Sequence, residues 1–266
     1  MLPPMFGDTH GRRIGEVWFN GEYDLSLLAK YIFTSEPLSI QNHPSDDQAR
    51  IRGFASGKEE CWYVLDAEPG ATLGLGFRRQ VDREEIREAA LDGSIVELID
   101  WKPVQAGDFY YVPAGTVHAI GAGISLLEFQ QNADVTYRLY DYGRPRELHL
   151  DDGLSVASTA PYTDGRTRKT DPNHSTILVN GPFFSLAHIA RGDSIPAGLS
   201  GRRRWVLPLD EPVWSRRSRG SPGECLLLDA TDELEPSQGR MLIGVEGTLE
   251  RRMESRTEIP QLVSAL

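Results

Sequence analysis

Along most of the chain, short apolar and aromatic runs alternate with turn-forming clusters of Gly, Pro, Asp and Ser, a pattern that predicts strands. Cys61-Trp62-Tyr63-Val64-Leu65 is the clearest of these runs. The rhythm is broken once. Asp82 with Glu85 three residues on, Ile86, Ala89 and Ala90 at helical spacing, and Gly93 at the end predict a helical insertion between strands. From Asp151 to Ser175 the composition shifts to Ser, Thr, Asp, Pro and Gly, as a connection requires. Beyond it, Phe183–Ala190, Arg204–Leu209, Glu224–Leu228 and Met241–Val245 predict strands of a second, smaller β unit. The expected organisation is a β-barrel with the helical insertion over residues 1–150, a connection over 151–175 and a smaller β domain over 176–266. No repeat links the two units.

Chemistry concentrates around Pro113-Ala114-Gly115-Thr116-Val117-His118, which reads as a strand, a tight turn and a return strand delivering one imidazole. Glu128, Asn132, Asp134 and Arg138 follow. Upstream, Gln41 and His43 lie two apart, so on a strand both face one side; Lys58 and Glu60 share a side in the same way. Gln41, His43, Glu60 and His118 thus form a set of two imidazoles, one carboxylate and one amide oxygen. Zinc suits such donors first, and iron or manganese also fit by ligand type. A lone His beside a Pro/Gly turn is ordinarily a hydrogen-bonded or surface residue. Here the spacing of Gly107, Pro113, Gly115 and His118 matches the second signature of the cupin barrels in every fixed position, while the first signature is stretched, with Gln41 in the place of one His.

Four strings, Gln41-x-His43-Pro44, Gly57-Lys58-x-Glu60-Cys61-Trp62-Tyr63, Val112 through Ala119, and Leu127 through Tyr142, closely resemble the type I phosphomannose isomerases. The resemblance is dense from Ile14 to Gly153 and weak to about Gly247. It implies a mainly β fold, a cupin-type jelly-roll barrel with a helical insertion plus a degenerate second β-barrel. It also implies one Zn2+ per chain on Gln41, His43, Glu60 and His118, with Lys58 and Glu128 lining the substrate site and Arg138 as the active-site arginine. The implied reaction interconverts mannose 6-phosphate and fructose 6-phosphate through an enediol. Glu128 is the first candidate for base, Lys58 assists, Asp134 is a second candidate, and Arg138 grips an oxygen or the phosphate. Two departures stand out. Asn42 replaces an apolar residue between the first two ligands, where a polar strand edge is the expected setting, and Met1 to Arg13 stands where the family carries a further strand.

The 266 residues, 39% hydrophobic and 25% charged, suit a soluble globule with a sizeable core. No stretch is apolar for the length a bilayer demands and no signal-peptide pattern opens the chain, so a cytoplasmic protein off the membrane is expected. A net charge of −11 argues against nucleic acid and sets a condition for an anionic hexose phosphate, namely local cations. Lys58, Arg138, Arg144 and Arg146 are the nearest in sequence, and Lys58 is one of only four lysines. The runs Arg202-Arg203-Arg204 and Arg216-Arg217 read as solvated surface. Cys61 and Cys225 are too few for a disulfide framework, and Cys61 reads as a small buried hydrophobe. His174 and His188 belong to no ligand-like motif. The chain is expected to act as a monomer or homodimer. Two other classes are a noncatalytic metal-containing sugar-phosphate sensor and a cupin metalloenzyme of different chemistry, such as an iron oxygenase.

Overall fold

The structure, a computed structural model, describes residues 11, 13–20, 25–236 and 238–249. Most of the segment Met1 to Arg13, which stands where the resemblance places a further strand, lies outside the described residues. The first unit contains β1 (Glu16–Trp18), β2 (Leu27–Thr34), β3 (Ile40–Asn42), β4 (Glu60–Ala67), β5 (Thr72–Phe77), β6 (Ile99–Pro103), β7 (Asp108–Val112), β8 (His118–Ile120), β9 (Ile124–Gln131) and β10 (Tyr137–Tyr140), with β11 (Arg168–Lys169) joining later. They form two antiparallel sheets, in the orders β1-β2-β9-β4-β7-β11 and β10-β3-β8-β5-β6. The second unit contributes β12 (Thr176–Asn180), β13 (Phe184–Ile189), β14 (Arg204–Pro208), β15 (Val213–Trp214), β16 (Arg219–Gly220), β17 (Leu226–Leu228) and β18 (Met241–Glu246). Its one substantial sheet runs β12-β13-β18-β14-β17, beside the two-stranded ribbon β15-β16. The mainly β cupin-type fold with a helical insertion and a reduced second β unit is as expected.

Strand alternation assigns each face a task. In β9, Leu127 and Phe129 face outward and join Tyr31, Cys61, Tyr63 and Phe109 in packing against Leu178, Phe184, Leu186, Trp205 and Leu242 of the second unit. Leu126 faces the opposite way, into the barrel with Trp62, Leu73, Leu75 and Ile120. Burial on both faces explains the near-continuous apolar run of β2. A Cβ at Gly244 would collide with the Phe129 ring, so glycine there permits the two sheets to approach.

The other sheet of the barrel is roofed by helices. The helices are α1 (Asp46–Ile51), α2 (Arg83–Asp92), α3 (Ile95–Leu98) and α4 (Leu150–Val156), of which α2, α3 and α4 pack on this sheet. Helix α2 begins where the Asp82 side chain accepts from the Glu85 N–H and ends at Gly93 in the left-handed region, as the sequence predicts. Ile86, Ala89 and Ala90 of α2, Ile95 of α3 and Leu154 of α4 pack on Ile40, Phe77, Val117, Ala119 and Leu139. Helix α4 covers Asn42, which corrects the expectation of a polar strand edge. Asn42 is wholly buried and donates from Nδ2 to the Gly153 carbonyl at 2.9 Å. The amide thus gives its donor to that helical carbonyl, while its Oδ1 is buried without a hydrogen-bond partner.

Two further sequence expectations meet different outcomes. Cys61 is buried in β4, and burial pushes its thiol well above the ordinary range, as suits a small packed hydrophobe. Arg204 departs from the solvated-surface reading of its run. It is 3% exposed, and its guanidinium donates to the main-chain carbonyl of Asp232. Alternation at the start of β14 turns it inward, and that carbonyl gives the charge a partner. Arg216 and Arg217 do lie in solvent.

Candidate metal centre and active site

Two cross-strand rows, one on each barrel sheet, build the site. In the first, antiparallel register aligns Trp18 with Lys30, Lys30 with Glu128, and Glu128 with Trp62 across β1, β2, β9 and β4. In the second, Arg138 lies across from Gln41 and Gln41 across from His118 on β10, β3 and β8. Side chains directly opposite on adjacent strands are neighbours, so residues far apart in the chain come together.

The turn before His118 is tied to the segment that carries His43. Gly115 holds φ +83° and donates its N–H to the His43 carbonyl at 2.7 Å. A Cβ on Gly115 would lie 2.8 Å from the Val156 carbonyl oxygen, so the position needs glycine for both its backbone angle and its clearance.

His43, Glu60 and His118 offer ligand atoms that all lie within 4.8 Å of one another, and they are the one such group of three among the described residues. Both imidazoles are oriented from behind: His43 Nδ1 donates to the Val135 carbonyl at 2.8 Å and His118 Nδ1 to the Thr116 carbonyl at 2.9 Å. Each Nε2 therefore presents a lone pair to the centre, with Glu60 oxygens 3.4 Å from both. A backing hydrogen bond of this kind is what fixes the tautomer of a ligating histidine. Burial first, then Lys58, brings His43 down to about 4, and burial also lowers His118, so both rings are neutral donors near pH 7. Burial opposes charge on Glu60, yet Lys58, His43 and His118 together hold its carboxylate well below the usual range. Neither oxygen of buried Glu60 receives a well-formed hydrogen bond, although Lys58 Nζ lies 2.9 Å from one. Two neutral imidazoles and an under-satisfied carboxylate fit a divalent ion.

Gln41 stands beside this group, its Nε2 3.4 Å from His118 Nε2 while Ser39 donates to its Oε1 at 3.0 Å. Half a turn of the amide exchanges the two ends and presents the oxygen that a metal would take.

Lys58 sits between the metal donors and the remaining machinery. Its Nζ is 3.2 Å from His43 Nε2 and 3.9 Å from Glu128 Oε1. Burial works against its charge, but Glu60 and then Glu128 keep the ammonium above its ordinary range. Glu128, 4% exposed, accepts from the Trp62 indole at 3.0 Å and pairs with Lys30 at 3.1 Å.

Lys30, Lys58, Trp62 and Glu128 line one polar cavity of about 210 Å3 that also includes Glu16, Trp18, Gln41, Asp134, Arg138 and Arg146. Lys30, Lys58, Arg138 and Arg146 outnumber the lining carboxylates Glu16, Glu128 and Asp134 by four to three, a local positive balance in an acidic chain. Arg138 donates from Nη1 to the Glu147 carbonyl at 2.9 Å, and its Nε is buried without a partner. Arg146 joins the wall. Arg144 pairs with Asp141 and does not line the cavity, unlike the reading that grouped it with the site cations. Lys30 and Trp18 received no role from sequence; the lysine in an otherwise apolar strand run was the one available signal.

No family model matches the chain. In sequence it is similar to the mannose-6-phosphate isomerase of Streptococcus mutans, 39% identical over 173 residues that make up 60% of this chain and 53% of that protein. It is likewise 39% identical over 170 residues to mannose-6-phosphate isomerase ManA of Bacillus subtilis, covering 60% of this chain and 54% of ManA. The chain thus spans about half the length of the curated relatives it matches. In fold it resembles the crystal structure of the Bacillus subtilis mannose 6-phosphate isomerase, with TM-score 0.67 and 27% identity over 82% of this chain and 74% of that one. A zinc-bound mannose 6-phosphate isomerase shares the fold at TM-score 0.60 and 14% identity, covering 84% of this chain and 79% of that one.

Proposed function

We propose that this chain, similar in sequence and fold to mannose-6-phosphate isomerases, is a zinc-dependent aldose–ketose isomerase that interconverts mannose 6-phosphate and fructose 6-phosphate. The observation that carries the reading is the adjacency of the buried His43–Glu60–His118 donor group to Lys58, which together with Gln41 and Glu128 lines a cation-rich cavity. Gln41, His43, Glu60 and His118 would hold the ion. When bound, zinc supplies a Lewis acid for the negative charge that develops on substrate oxygen.

Isomerisation moves a proton between C1 and C2 through an enediol, and Glu128 is the proposed base. A carboxylate has about four lone-pair directions; Trp62 and Lys30 occupy one each, which leaves room for a substrate hydrogen. Lys58 keeps its proton and lies close enough to Glu128 to stabilise charge on a sugar oxygen between them. Arg138 and Arg146 line the same cavity and would receive the phosphate as charge-assisted donors, Arg146 while its Nε and Nη2 pair with Asp141. Asp134, exposed at the cavity wall, is the second candidate for proton transfer. The same reading includes a cytoplasmic location, a monomeric or homodimeric state, and the division into a catalytic barrel at 1–150 and a metal-free β domain at 176–266.

A coupled assay of the zinc-loaded protein with mannose 6-phosphate tests the proposal, with glucose 6-phosphate as the competing epimer. Formation of fructose 6-phosphate is expected. Binding of hexose phosphate without product or solvent exchange at C2 would make the protein a sensor, and iron-dependent oxygen uptake would make it a different metalloenzyme.

A further inference from the structure

We propose that Lys30 is a positioning residue that holds the Glu128 carboxylate in its working orientation, an inference that rests on the isomerase reading above. Strand register sets Lys30 directly across from Glu128, with Trp18 across from Lys30 on its other side. Its Nζ lies 3.1 Å from Glu128 Oε1 and 4.0 Å from the centre of the Trp18 ring. The Trp62 indole holds the other carboxylate oxygen at 3.0 Å. Trp18 is itself anchored through its indole N–H, which donates to Glu16 at 2.6 Å. The carboxylate is therefore gripped at both oxygens by groups on two different strands, β2 and β4.

Fold stability gives no sufficient reason for this pair. Lys30 is 5% exposed and Glu128 4%, and two ions so far from water are no more stabilising than a packed apolar pair of the same size. Around Lys30, Leu27 to Ile32 are otherwise apolar or aromatic and buried, so an aliphatic residue would fit the local pattern. The ammonium instead does something an apolar side chain cannot. It balances the pull of Lys58, whose Nζ is 3.9 Å from the same Oε1 and already engaged with Glu60. Without Lys30, Glu128 would swing toward Lys58, out of line with the substrate carbons. Lys30 acts through Glu128 and needs no contact with substrate.

The test uses the whole zinc-loaded chain and Lys30→Met, which keeps length and apolar packing but removes the charge. Turnover of mannose 6-phosphate should fall roughly 10- to 100-fold with KM within about threefold, since misorientation costs chemistry more than binding. Metal content should stay at the wild-type level. Lys30→Ala should lose as much and recover in part with added methylammonium, which leaves Lys30→Met unchanged. In a Glu128→Gln background the Lys30 substitution should cost little more, because the two residues act as a unit. The indole N–H resonance of Trp62, assigned with Trp62→Phe, should shift in Lys30→Met whether or not the protein is an isomerase. An unmoved resonance, unaltered turnover, or a loss confined to KM would overturn the positioning role. An inactive wild type whose Trp62 resonance still shifts would overturn the isomerase reading and leave Lys30 as the orienter of Glu128.

Discussion

Gln41 stands directly across from His118 on neighbouring antiparallel strands, with the amide and imidazole Nε2 atoms 3.4 Å apart. The pairing joins the stretched first half of the donor set to its compact second half. It also makes a prediction about metal. One divalent ion per chain is expected, lost in His118→Ala and weakened more mildly in Gln41→Ala, because a neutral amide contributes less than an imidazole backed by a carbonyl. Metal analysis after dialysis measures this. Two equivalents that both persist in His118→Ala would overturn the assignment.

Acid should destabilise the metal-free protein before its carboxylates protonate. His43 falls from 6.5 to about 4 on folding, because burial and then Lys58 oppose its proton. The unfolded chain therefore binds more protons than the folded one between those values, and stability present above pH 6.5 is lost as pH falls toward 4. His43 alone accounts for roughly 2 kcal/mol between pH 7 and pH 5. His118 is lowered as well and adds in the same direction. Glu60, held below 4.5, loses its share only at lower pH. Urea unfolding of the chelated protein at pH 7 and pH 5 should show the decline, and His43→Gln should flatten it.

How much of this was legible in the sequence depends on the range of the interaction. Gln41 with His43, and Lys58 with Glu60, could be read as neighbours because a two-residue spacing is a local property, although His43 and Lys58 lie just outside β3 and β4, and Gly115 with His118 because a turn has its own chemistry. Helix α2 announced itself through Asp82 and Gly93 for the same reason. Lys30 was not readable, since its partner Glu128 is fixed by the register of β2 on β9, and both faces of β2 are buried, which erases the usual polar-out signal. Strand β12 and helix α4 went unnoticed beside turn-rich sequence; tertiary packing supplies what local propensity lacks there. The inward turn of Arg204 depends on where β14 begins, a boundary that an arginine run conceals.

Gly115→Ala isolates the turn from the ligands themselves. With φ at +83° and the Val156 carbonyl 2.8 Å from the new Cβ, the turn must shift, and the Gly115 N–H bond to the His43 carbonyl goes with it. A loss of roughly 1–3 kcal/mol of stability is expected, together with weaker zinc binding although every ligand is present. Thermal melts and metal titration would check both parts.

In the second unit, His188→Gln should leave metal content and turnover within about twofold of wild type while lowering stability by roughly 1–3 kcal/mol. His188 is fully buried, stacks on Tyr63 with ring centres 6.1 Å apart and lies 3.2 Å by Nδ1 from the His174 carbonyl. His174 is exposed, so His174→Gln should be nearly silent in both assays. Loss of zinc from either variant would mean that the second unit contributes to the metal site.

The proposed division of labour between Glu128 and Arg138 makes the sharpest prediction. Glu128→Gln preserves size and can still accept from the Trp62 indole, but it removes the basic oxygen. Turnover should therefore fall by about 100-fold or more while substrate affinity and zinc content stay near wild type. Arg138→Ala removes a guanidinium whose Nε has no protein partner. Its effect should appear in both KM and kcat, because a loosely held phosphate also misplaces the reacting carbons. Exchange of the C2 hydrogen of mannose 6-phosphate with deuterated solvent separates the cases: it should vanish with product formation in Glu128→Gln and persist, slowed, in Arg138→Ala. If Glu128→Gln instead releases zinc, Glu128 supports the metal donors through Lys58. If it keeps both zinc and exchange, the proton passes through another group, and Asp134, exposed on the same cavity wall, becomes the residue to replace.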